Sequence, residues 1–141
     1  GYNQGVLTLK DCIAKSDTGV ITVQEHWLTP ANLNRFNIDF TDYYAFGSSA
    51  LGEAVSSGPL YGRPYGGTMI LLKNNLLPMS NCVYASERFV IIKVGDIICI
   101  HVYFPCVGTV DRQFICEEQL KNNSTIIWVV WLFAVQGSCA A

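Results

Sequence analysis

The run "ERFVIIKVGDIICIHVYFP", residues 87–105, limits this chain more than any other stretch. Two β-rich segments are separated only by Gly95 and Asp96, a two-residue loop with glycine first, which is the demand of a type II′ hairpin turn. Residues 87–94 and 97–104 are therefore expected to pair antiparallel, and sheet structure must dominate this part of the chain.

What precedes the hairpin alternates between helix and strand signals. "VLTLKDCIAK", residues 6–15, places Val6, Leu9, Cys12 and Ile13 at helical spacing, with Lys10, Asp11 and Lys15 elsewhere on the surface. "SDTG" ends that helix, and the β-branched run "VITVQE" suits a buried central strand. In "LTPANLNRF", Thr29 is a good N-cap and Pro30 a good first helical residue, so a short helix or turn is expected. "DYYAFGS" at 42–48 reads as a short aromatic strand, and the Gly-, Ser- and Pro-rich span 48–67 reads as a long mobile loop. "TMILLKN" at 68–74 is another strand, followed by a connector, "NNLLPMSN". Helix, turn and strand in succession predict an α/β layer architecture.

Beyond the hairpin, "TVDRQFICEEQLKN" reads as a helix. Ten apolar residues then run from Ile126 to Val135, too few for a membrane span of about 20. They form either a buried strand or sequence foreign to the domain. The expected organisation is a domain over 1–121 and a divergent apolar tail over 122–141.

Composition sharpens the functional question. Half of the 141 residues are hydrophobic and only 14% are charged, below the roughly one quarter usual for a soluble domain. That balance implies either unusually thorough burial or a missing partner surface. A net charge of −2 gives no basic footprint for nucleic acid, although a bound cation can supply positive charge itself. The six cysteines, Cys12, Cys82, Cys99, Cys106, Cys116 and Cys139, show no CxxC spacing, so reduced and mostly buried thiols in an intracellular protein are expected, not a zinc site.

One side chain stands out. Glu25 closes the run "VITVQE", and a carboxylate at a rigid strand end can give a hard cation an oxygen ligand. Taken alone, it reads more simply as a strand-end acid facing solvent. Tyr103, in "HVYFP", reads alone as a strand aromatic packed in the core. His101 shares its sheet face and reads as structural. Arg63, in "GRPYGG", lies where it could touch a nucleic-acid backbone, but its glycines and prolines more simply shape the loop.

In their order and spacing, "VITVQEHWLTPANL", "YAFGSSA", "GRPYGGTMILL", "ERFVIIKV" and "ICIHVYFPC" resemble the endonuclease domain of non-LTR (LINE-type) retrotransposons. That family is part of the endonuclease/exonuclease/phosphatase superfamily, and the resemblance extends over Gly1 to Leu120. It implies the N-terminal part of a four-layer, DNase I-like α/β sandwich, mostly one mixed or antiparallel sheet with flanking helices. It further implies a Mg²⁺-dependent hydrolysis of DNA phosphodiester bonds, with Glu25 as a metal ligand and Tyr103 hydrogen-bonding a phosphate oxygen. His26 and Trp27 match variable positions and are assigned no chemistry.

The same resemblance points to absences. The family's first active-site Asn is expected just upstream of Gly1, so the chain reads as an incomplete piece. Its Gly-Asp-x-Asn and Ser-Asp-His motifs do not occur. "GDII" at 95–98 imitates the first, but its position makes it a hairpin turn. The expectations are an incomplete endonuclease with negligible activity alone or a non-catalytic remnant, DNA as the parent partner, and no membrane. An apolar sheet face left open is expected to drive self-association, and the setting expected is intracellular, nucleus or cytoplasm, with no targeting signal visible.

Overall fold

The structure, a computed structural model, describes residues 1–103 with their side chains and the backbone of residues 125–131. The elements in chain order are α1 (Tyr2–Lys15), β1 (Val20–Gln24), α2 (Arg35–Asp39), β2 (Tyr43–Ser48), α3 (Gly52–Ser56), β3 (Thr68–Lys73), β4 (Ser80–Ala85), β5 (Phe89–Val94), β6 (Ile97–Tyr103) and β7 (Thr125–Trp131). Short 3₁₀ turns occupy Pro30–Asn32 and Asn74–Met79.

The hairpin forms as its sequence dictates. Val94 pairs with Ile97, leaving Gly95 and Asp96 as the loop, and Gly95 takes φ +58° while Asp96 stays at negative φ. That is the II′ pattern, and it disposes of "GDII" as an active-site motif. Alternation then divides the two strands between faces: Phe89, Ile91, Ile98, Ile100 and Val102 cluster on one, Val90, Ile92 and Cys99 on the other.

Among the described residues, the strands form two sheets, ordered β1-β3-β2 and β4-β5-β6-β7. All pairings are antiparallel except β6 with β7. Within the apolar run after Ser124, the backbone of Thr125–Trp131 forms β7, paired with β6. The expected helix over 109–122 lies outside the described residues.

The two sheets stack. Ile70 and Leu72 of β3 bury against Val90, Ile92 and Cys99 of the hairpin. Met69 and Leu71 point the other way, into a cluster with Tyr2, Phe36 and Phe40 under α1 and α2. Alternation along "TMILLK" thus feeds two cores, which is why β3 is apolar on both faces. The sheet face expected to lie open is covered by the β5–β6 hairpin, so self-association loses its basis on that face.

Three sequence expectations change here. β1, read as a buried central strand, is an edge strand among the described residues, with all five of its residues half-buried; β3 takes the central place because it pairs on both sides. β4 has no sequence signal because it is an exposed edge strand interrupted by a bulge between Cys82 and Tyr84, so no face of it is consistently apolar. Cys12 and Cys82 are exposed, and only Cys99 of the three described cysteines is buried; all three are free thiols. Cys12 lies on the solvent side of α1, while Tyr2, Val6, Leu9 and Ile13 carry its apolar stripe.

α1 starts at Tyr2, a turn before Val6, because the buried Tyr2 ring packs edge-on against Phe36 at 4.8 Å between centroids and its hydroxyl donates to Asp39. Burial, with the Asp39 carboxylate beside it, pushes the Tyr2 hydroxyl well above the usual tyrosine range. Thr29 precedes the 3₁₀ turn with extended backbone, but its side chain makes no cap bond; Pro30 is at the first helical position as expected.

Candidate active site around Glu25

Glu25 follows the last residue of β1, and the chain there is not ordinary strand. Glu25 has φ +57° and Trp27 φ +61°, the left-handed region that costs an L-residue roughly 1–2 kcal/mol. Backbone bonds from a second segment hold the turn. The Glu25 amide donates to Gly67 O at 2.9 Å, the Trp27 amide to Gly66 O at 3.1 Å, and Tyr2 N–H to His26 O at 2.8 Å. Gly66 and Gly67, themselves at φ +62° and +91°, let two irregular backbones run this close.

His26, between the two left-handed residues, is buried beneath them. Its Nδ1 accepts the Leu28 amide at 3.0 Å, which fixes the proton on Nε2, and Nε2 donates to Ser48 O at 3.1 Å. Burial holds its pKa below the ordinary histidine value, only partly opposed by the Ser48 carbonyl and the Glu25 charge. Ser49 extends the network: its hydroxyl donates to Leu28 O at 2.6 Å and accepts from Leu51 N–H. The span 48–67 is thus tied down at both ends against the residues that follow β1.

The Glu25 carboxylate is oriented from two directions. Trp27 Nε1 donates to Oε2 at 2.6 Å, and the Gly66 amide donates to the same oxygen at 3.2 Å. Oε1 has no hydrogen-bond partner among the described residues. A carboxylate pinned through one oxygen, with the other available, suits a hard cation that keeps most of its shell as water and substrate oxygens, as Mg²⁺ does. Among the described residues no cluster of three His, Cys, Asp or Glu side chains surrounds it.

His101 links this edge to the second sheet, its Nε2 lying 3.2 Å from the Val23 carbonyl of β1. Cys99, His101 and Tyr103 share the face of β6 turned toward the first sheet. Tyr103 is half-buried at the strand end, its amide donating to Arg88 O. The fold thus brings the carboxyl ends of β1 and β6 to one side of the molecule. Beside Glu25 lies a cavity of about 590 Å³ between α1 and β1, lined in part by Gln4, Thr8, Thr22 and Gln24. The Gln24 Oε1 buried there has no partner among the described residues. Arg63 is exposed and makes no ion pair among the described residues.

Solved structures share the fold. Over 92% of its length the chain superposes on a 3'-5' exonuclease (NExo) from Neisseria meningitidis, with a TM-score of 0.62 and 12% identity. The fold is a partial DNase I-like α/β sandwich. The chain spans about half of that exonuclease, 53% of its length. A NExo 3' phosphatase variant from Neisseria bound to a product DNA hairpin matches over 84% of this chain and 44% of its own, with a TM-score of 0.50 and 14% identity. No family model and no curated protein matches the sequence.

His26 and Trp27 are what sequence reasoning missed. Neither was assigned a role, yet Trp27 orients the Glu25 carboxylate and His26 supports the turn that carries it. The Gly66-Gly67 pair was the available signal, since adjacent glycines before a strand mark a close backbone approach.

Proposed function

We propose that this chain is part of a metal-dependent phosphodiesterase that acts on DNA, with Glu25 as a Mg²⁺ ligand and Tyr103 as a donor to a phosphate oxygen. Glu25 carries the reading: it is a strand-end carboxylate held through one oxygen by Trp27 and Gly66 and open at the other, in a fold shared with a 3'-5' exonuclease and with a 3' phosphatase bound to a product DNA hairpin. The cation, when bound, would neutralise charge on the phosphate oxygens. The protein's own part is orientation: the left-handed turn fixes the carboxylate, and β6 fixes Tyr103 on the same side. The order of "QEHWL", "GRPYGG" and "HVYFP" supports a retrotransposon endonuclease, nicking target DNA in the nucleus or from the cytoplasm, as the parent activity.

The sequence holds neither Gly-Asp-x-Asn nor Ser-Asp-His, and such sites work as a unit. The chain by itself is therefore proposed to be catalytically incompetent, an incomplete copy of the domain. Supercoiled plasmid with Mg²⁺, incubated with the chain and with Glu25→Ala, tests both parts. The expected result is no nicking by either; nicking by the parent chain and not by Glu25→Ala would overturn the incompetence and uphold Glu25. Mg²⁺ titration followed by tryptophan fluorescence, with Trp128 and Trp131 replaced by phenylalanine so that Trp27 alone reports, reads the site without activity, and a response that survives Glu25→Ala would remove Glu25 as the ligand.

A further inference from the structure

The segment Tyr61–Tyr65 carries two exposed aromatic rings. Tyr61 is 87% exposed and Tyr65 55%. Other exposed tyrosines lean on a neighbouring ring: Tyr44 lies 4.9 Å from Phe46 and Tyr84 5.3 Å from Phe89. Tyr61 and Tyr65 have no such ring partner among the described residues, and Arg63 stands exposed between them. From Ser57 to Tyr65 there is no acidic residue. Aromatic faces alternating with a cation are the chemistry that holds an unpaired nucleic-acid strand, with bases stacking on the rings and the guanidinium following the backbone.

Position strengthens the case. Tyr65 is joined directly to Gly66, whose amide donates to the Glu25 carboxylate and whose carbonyl accepts from Trp27. The backbone of Tyr65 is therefore one residue from the amide that orients the Glu25 carboxylate. The loop is also built to adapt: Gly58 and Gly62 sit at φ +146° and +87° in open space, so the rings can adjust while the Gly66-Gly67 end stays anchored.

We propose that Tyr61, Arg63 and Tyr65 form a stacking platform for an unpaired DNA strand, delivering it to the Glu25 site. The proposal rests on the nucleic-acid reading above and names the form of DNA that the site prefers. The platform would select strand ends, flaps or melted segments over intact duplex, since every base in a duplex already has stacked neighbours.

The test is fluorescence anisotropy in EDTA with a labelled single-stranded oligonucleotide and the matching duplex, so that neither metal nor cleavage enters. The chain is expected to bind the single strand more tightly. Tyr61→Ala and Tyr65→Ala should each weaken that binding roughly five- to hundred-fold, and Tyr65→Trp should restore it. Arg63→Gln should lower the slope of log affinity against log salt by about 0.7. If the parent chain binds single strand and the alanine variants bind as well, the platform is refuted while the nucleic-acid reading stands. Equal losses on duplex and single strand would refute stacking as the cause. No binding of either DNA by the parent chain would overturn both readings.

Discussion

Gly67→Ala tests the joint that places the candidate metal ligand. Gly67 sits at φ +91°, and a Cβ there would lie 2.3 Å from Cε1 and Nε2 of His26. The backbone term alone is about 1–3 kcal/mol. The steric term adds to it, because His26 is only 2% exposed and both its ring nitrogens are engaged, with Leu28 N–H and Ser48 O. Moving the ring away breaks at least one of those bonds and leaves a buried polar group unpaired, at about 1–3 kcal/mol. The expected total is about 2–6 kcal/mol, a large share of the roughly 5–15 kcal/mol that holds a domain together. Gly62→Ala is the matched control: φ is nearly the same, +87°, but nothing lies within 4 Å of the added carbon. Urea unfolding followed by tryptophan fluorescence compares the two. The backbone term is common to both, so the His26 term of about 1–3 kcal/mol separates them, and with a slope of about 1–3 kcal/mol per molar the Gly67 midpoint should fall roughly 1 M below the Gly62 midpoint. Midpoints that coincide would show that His26 yields without cost, and the account of a rigid Glu25 turn would fail.

Two further outcomes follow from the same structure. The folded state holds His26 neutral, with a pKa below its unfolded value, so below the ordinary histidine range the unfolded chain binds the additional proton. Stability should therefore be fully present above about pH 6.5 and fall as pH drops through that value toward the folded pKa; urea midpoints between pH 5 and 8 should show this slope, and His26→Asn should flatten it. A slope unchanged in that variant would place the titration elsewhere. Ile70→Ala empties a fully buried site between the two sheets and should cost about 2–5 kcal/mol in the same unfolding measurement. A cost under about 1 kcal/mol would mean that the sheets do not pack through β3.

The sequence by itself settled whatever depends on neighbours along the chain. Gly95-Asp96 set the hairpin and its register, the β-branched run marked β1, and the apolar residues of "TMILLK" marked β3, because period and turn chemistry are local. It also singled out Glu25 as an acid in an unusual place. Tertiary structure decided what local pattern cannot carry. Whether β1 is central or at an edge depends on which strands pair with it, and "VITVQ" reads alike in both places. β4 was silent because an exposed, bulged edge strand has no periodic face. The Glu25 turn joins residues some forty positions apart: Trp27 and Gly66 clasp the carboxylate, while His26 sits buried under Gly67. Those contacts exist only when both segments are folded together, so a sequence that shows the acid cannot show what aims it.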